Sequence, residues 1–105
     1  MEESFKYIRL FEIYGKALTE RKQEIFKQYY IYNLSLREVA KNVGISFQGV
    51  SDSLNVSKKA LEDMDKKIGF KDYIEKVEKL KKIVNDEKKD VDTKYEKIKK
   101  LLEDM

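Results

Sequence analysis

Residues 34–61 read LSLREVAKNVGISFQGVSDSLNVSKKAL, and the fold turns on this stretch. Ser35 is placed to cap a short helix over residues 36–43, and Gly44 supplies the left-handed backbone that stops it. Ser46 then caps a second helix that can run to residue 68, before Gly69. Val39, Ala40, Ile45, Val50 and Leu54 fall where a tight helix pair must be apolar or small. Ala40 lets the helices approach, and Val50 and Leu54 lock the second one. Two capped helices around a glycine turn make a helix-turn-helix, which presents the outer face of its second helix rigidly, commonly to a DNA major groove. The same scaffold also serves as a packing unit, so the spacing predicts the fold more specifically than the ligand.

Upstream, a first helix is expected over residues 3–18. Its apolar positions, Phe5, Tyr7, Ile8, Leu10, Phe11, Ile13, Tyr14, Ala17 and Leu18, cover more than the single stripe of a surface helix. It needs cover on two sides, from the C-terminal helices or from a second subunit. Thr19 caps the next helix, with Glu20 in its first turn, extending to residue 31 and burying Ile25, Phe26, Tyr29 and Tyr30. The run Tyr29, Tyr30, Ile31, Tyr32 is open to two uses, a base-stacking platform or core, and core is the commoner fate of aromatics at helical spacing.

Downstream of Gly69 the composition shifts to alternating Lys and Glu with an apolar stripe at Phe70, Tyr73, Ile74, Val77, Leu80, Ile83 and Val84. A second stripe follows at Tyr95, Ile98, Leu101 and Leu102. Val77, Val84, Val91, Ile98 and Met105 recur every seven residues, as in a continuous coiled-coil helix. The matching core positions Glu87 and Lys94 are charged, which favours a helical hairpin bent in that region. The chain is therefore divided into a helix-turn-helix domain, residues 1–69, and an amphipathic helical segment, residues 70–105, packing on the same unit or on a second subunit. The fold class is all-α: a helix-turn-helix bundle with a C-terminal helical hairpin.

Composition narrows the chemistry. The 105 residues contain no Cys, His or Pro and four Gly, with 41% charged residues. Disulfides, Cys/His metal sites and imidazole catalysis are excluded, and no glycine-rich loop is present to cradle phosphate. No catalytic residue, metal ligand or cofactor is expected, and the chain is read as a non-enzyme. The N-terminal MEESFKYIRLFEIYG is charged throughout, and no apolar run reaches the roughly 18 residues of a membrane span. A cytoplasmic location without membrane attachment is the default. The net charge is +3, spread as +1 on each third of the chain, so no segment forms a basic arm.

Residues 10–61 resemble the YlxM-like family, whose helix-turn-helix is similar to the promoter-reading region 4 of sigma factors. The matching positions are Leu18, Thr19, Glu20, Leu34, Ser35, Leu36, Glu38, Ala40, Gly44, Ile45, Ser46, Gln48, Val50, Ala60 and Leu61. The resemblance implies a bacterial regulatory or accessory factor near the signal recognition particle pathway, a role inferred for the family largely from its gene's company with the particle's GTPases.

One departure bears on binding. Where that family usually carries a basic residue after the capping serine, this chain has Phe47, and no Lys or Arg occurs between Lys41 and Lys58. The residues expected to meet nucleic acid or another partner are Phe47, Gln48, Ser51, Asp52, Asn55, Lys58 and Lys59. Gln48 and Asn55 suit adenine edges, but phosphate neutralisation supplies most of the affinity for DNA, and Asp52 opposes it. Phe47 suits a protein surface. The partners in view are DNA, the particle's GTPase or its RNA, and a second copy of the chain.

Overall fold

The computed structural model describes residues 2–104, and side chains from Glu3 onward. These residues form helices and turns with no strand among them, in two units divided between Ile68 and Gly69. The first unit holds α1 (Glu2–Tyr14), α2 (Glu20–Phe26), α3 (Leu36–Val43) and α4 (Phe47–Ile68). A 3-10 turn, Gly15–Ala17, follows α1, where a continuous helix to residue 18 was expected.

Thr19 caps α2 as its side chain predicts, accepting a bond from the Lys22 N–H at 3.3 Å. The end of this helix departs from the expected regular form, because Lys27–Ile31 is a wider π turn. The Tyr32 N–H reaches back to the Lys27 carbonyl at 2.9 Å, and the Leu34 N–H bonds the Gln28 carbonyl at 3.0 Å. Asn33 closes the segment with φ of 57°. The buried Gln28 amide is satisfied on both sides, donating to Glu24 at 3.0 Å and accepting from Asn42 at 3.2 Å. Buried amides need such partners, and this one ties α2 to α3.

The core of the first unit joins all four helices. Leu10 and Phe11 from α1, Ile25 and Phe26 from α2, Val39 and Ala40 from α3, and Val50, Leu54 and Leu61 from α4 are buried in one cluster. The Phe11 and Phe26 rings stack at 4.3 Å with planes 7° apart. Tyr29 and Tyr30 are half-buried against the core, as expected for packing, whereas Tyr32 and Phe5 are exposed.

The second unit is a helical hairpin of α5 (Phe70–Asn85) and α6 (Val91–Glu103). The helices run antiparallel: Lys76 Nζ bonds the Asp104 carbonyl at 2.8 Å, and Lys94 Nζ bonds the Val84 carbonyl at 3.2 Å. The charged stretch bends where expected, and Asp90 caps α6 by accepting from the Thr93 N–H at 2.6 Å. That bond holds the Asp90 carboxyl below the usual aspartate range. No residue of either helix is buried. Met105, the last member of the seven-residue series, lies outside the described residues.

Candidate interaction face of the recognition helix

The turn that presents α4 is fixed by backbone chemistry. Ser35 and Glu38 form a reciprocal capping box at the start of α3. The Ser35 N–H donates to Glu38 Oε1, and the Glu38 N–H to Ser35 Oγ, each at 3.1 Å. The bond from the Ser35 backbone, and then the one involving its side chain, hold the Glu38 carboxyl below the ordinary glutamate range. At the other end Gly44 adopts φ of 77°, and the Gly44 and Ile45 N–H groups both bond the Ala40 carbonyl, at 2.9 and 3.1 Å. Arg21 reaches from α2 to the Val43 carbonyl at 3.3 Å, satisfying an orphan acceptor at the end of α3. Ser46 then starts α4 by accepting from the Gly49 N–H at 2.9 Å.

Gly49 follows the cap closely: a methyl group there would stand 3.1 Å from Ser46 Oγ and 3.5 Å from Ile45 Cδ1. The small residue leaves room for the cap itself.

Val50, Leu54, Ser57 and Leu61 form the buried side of α4. At 100° per residue, Gln48, Asp52, Asn55 and Lys59 lie together on the opposite side, and all four are exposed. Gln48 Nε2 donates to Asp52 Oδ1 at 3.0 Å, so the amide and the carboxylate already engage each other. Phe47 is 48% exposed at the start of the helix, and Ser51 is half-buried. The structure adds Val56, 51% exposed, to the outer face. Its angular distance from Val50 and Leu61 carried that signal in the sequence.

Lys58 does not join this group. Its ammonium lies 5.1 Å from the centre of the Tyr7 ring and 3.9 Å from Glu3, both on α1. Two further contacts hold the same side of α4. The Tyr7 hydroxyl donates to Glu62 and the Tyr14 hydroxyl to Asp65, the latter at 2.9 Å. The hydrogen bond to Glu62, together with burial and that carboxylate's charge, pushes the Tyr7 phenol up to about 12. Positions 3, 7 and 14 meet 58, 62 and 65 in rising order, so α1 runs alongside the C-terminal half of α4 in the same direction. Nothing in the sequence pairs these tyrosines with these carboxylates.

Of the cations expected to anchor phosphate, Lys41 and Lys59 remain exposed and Lys58 is engaged with α1. Between residues 47 and 59 the outward side carries one lysine and one aspartate, with no net charge. Among the described residues, no group of three or more acidic side chains is placed to hold a metal, and no helix is long and apolar enough to cross a membrane.

Comparison with known proteins agrees with this geometry. Residues 1–102 match the model of the UPF0122 family, described as "Putative helix-turn-helix protein, YlxM / p13 like". A UPF0122 protein of Caldanaerobacter subterraneus subsp. tengcongensis is 35% identical over 89 residues, covering 80% of this chain and 76% of the relative. Another from Streptococcus gordonii is 33% identical over 91 residues, covering 86% and 83%. A third, from Streptococcus pneumoniae, is 35% identical over 75 residues, covering 70% and 68%.

Proposed function

As the chain belongs to the UPF0122 family of YlxM/p13-like helix-turn-helix proteins, we propose that it is a non-catalytic regulatory accessory factor of the signal recognition particle pathway. It acts in the cytoplasm, and the outer face of α4 docks on the particle's GTPase in preference to reading duplex DNA. The observation that carries the choice of a protein surface is the charge of that face: Lys58 is drawn onto Tyr7 and Glu3, leaving Lys59 opposed by Asp52. Each phosphate contact that is missing removes affinity and salt dependence together, so a face without net cation is a poor DNA surface. Phe47 and Val56, about half exposed and about 180° apart round α4, supply apolar contacts at the two edges of that face, and Gln48, Asp52 and Asn55 lie between them.

The test is a pair of titrations with the full chain. Binding to the purified GTPase, with and without the particle's RNA, is expected to weaken at least about fivefold in Phe47→Ala and Val56→Ala, as for interface contacts of more than about 1 kcal/mol. Fluorescence anisotropy with mixed-sequence duplex DNA is expected to show no binding even at about 50 mM salt. Duplex binding that collapses between about 50 and 200 mM salt would replace the protein partner with DNA. Binding that requires the RNA and responds to Lys59→Ala would move the contact to the RNA.

A further inference from the structure

The C-terminal hairpin carries exposed apolar residues along one side. In α5, Tyr73 and Val84 are 54% and 57% exposed, and in α6, Val91, Tyr95 and Leu102 are 80%, 62% and 54% exposed. Within each helix these residues share a face: Tyr73 and Val84 lie eleven positions apart, about 20° round the helix, and the α6 residues lie within about 40°. Where the helices meet, α5 turns Lys76 and Ile83 towards α6, and α6 turns Lys94 and Leu101 towards α5. The exposed stripe is displaced from that contact by about 90° in the same rotational sense on both helices. Because the helices are antiparallel, the two stripes emerge on one side of the hairpin. The result is a two-helix layer with one apolar face and no buried residue.

We propose that this face binds the same face of a second copy, completing a four-helix bundle and making the protein a homodimer through residues 70–105. Two properties of the face favour a second copy as the occupant. The first is area. Aromatic side chains bury about 150–250 Å² each, so two half-exposed tyrosines and three aliphatic residues, with the half-buried Val77 and Ile98 beside them, offer on the order of 600 Å². A stable interface takes about 800 Å² per partner, so the apolar stripe supplies most of that area and leaves about 200 Å² for its polar margins. The second is charge. The margin of the stripe on α5 carries Lys71, Glu78 and Lys81, and the margin on α6 carries Asp92, Glu96, Lys99 and Glu103. One margin is net positive and the other net negative. A two-fold axis between the faces and parallel to the helices sets α5 of one copy over α6 of the other, bringing opposite charges together at both margins. Four-helix packing also supplies what short helices lack alone, since helices of 13 and 16 residues are marginal in water without tertiary cover.

Sedimentation velocity of the full chain over a hundredfold concentration range is expected to approach twice the 12.5 kDa chain mass. Tyr95→Glu and Leu102→Glu, at exposed positions, are expected to return it to a monomer, whereas Lys82→Glu, on the opposite side of the hairpin, leaves the dimer intact. A second measurement leaves the face untouched. The chain has no cysteine, so a spin label on Lys82→Cys, on the opposite side of the hairpin, reports only distances between copies. A defined dipolar distance supports the bundle. A monomer at every concentration, a dimer that survives Tyr95→Glu and Leu102→Glu, or a labelled protein without dipolar modulation overturns the proposal.

Discussion

Gly15→Ala is expected to destabilise the first unit, although glycine to alanine in a helical turn ordinarily stabilises. A methyl group at Gly15 would stand 2.8, 2.9 and 3.0 Å from Cδ1, Cε1 and Cγ of Phe11. That ring cannot simply yield. It is 9% exposed and lies flat on the fully buried Phe26 ring at 4.3 Å, so any retreat breaks the stack. Overpacking of this kind costs about 1–3 kcal/mol, and loss of an aromatic pair about 0.5–1.5 kcal/mol more. Reduced freedom of the unfolded chain returns only about 0.4–1 kcal/mol. The net loss is about 2 kcal/mol, which for a domain of this size lowers Tm by roughly 8–16 °C. Urea unfolding followed by near-ultraviolet circular dichroism reports on these packed aromatics. The cause is isolated by a cycle with Phe11→Leu, which removes the ring from the glycine. In that background Gly15→Ala is expected to be neutral or slightly stabilising, giving a coupling of at least about 1 kcal/mol between the sites. An equal penalty in both backgrounds, or a higher Tm for the single variant, would refute the steric account.

Three other perturbations have definite signs. Ser57 is 1% exposed and its hydroxyl has no hydrogen-bond partner, so Ser57→Ala is expected to raise stability by about 1 kcal/mol, read as a shift in the urea midpoint at unchanged slope. The Tyr7 phenol is raised above its unfolded value, so its contribution is fully present below about pH 10 and fades as pH rises towards about 12. Alkaline absorbance titration should show a late component that is lost in Tyr7→Phe and shifted down in Glu62→Gln; a native curve unchanged by Tyr7→Phe at high pH would contradict this. Glu38 is lowered relative to the unfolded chain, so its contribution is present above the ordinary glutamate value and lost as pH falls through its lowered one. Acid unfolding of Glu38→Gln should therefore be less steep than that of the native chain, and parallel curves would count against the capping box.

Short-range chemistry was the part of the fold most plainly written in the sequence. Thr19, Ser35 and Ser46 cap where a hydroxyl precedes an apolar period, and Gly44 ends α3 because few other residues tolerate its φ. The hairpin bend was legible because Glu87 and Lys94 interrupt an apolar series. The π turn at Lys27–Ile31 was not, since its residues continue a helical period and its geometry answers to a long-range partner, Asn42, for the buried Gln28. The outer face of α4 was legible as a face, because angular position follows from spacing alone. The loss of Lys58 from it was hidden, because Tyr7 and Glu3 lie more than fifty residues away in sequence. Local rules place a side chain on a helix, and only the packed structure decides which neighbour engages it.

The clasp between α1 and α4 also has a consequence in time. Tyr7 and Glu62 are separated by 55 residues, and Tyr14 and Asp65 by 51. A ribosome adds about 5–20 residues per second, so these tyrosines wait on the order of 3–10 s for their carboxylates to be made. Phe11 waits far less, because Phe26 follows it by only fifteen residues. The nascent chain can therefore close the α1–α2 stack early, while the edge of α1 that carries Tyr7 and Tyr14 stays open until α4 is nearly complete. Premature termination before Asp65 would strand that aromatic edge in solvent, leaving a truncated product prone to self-association and open to proteolysis.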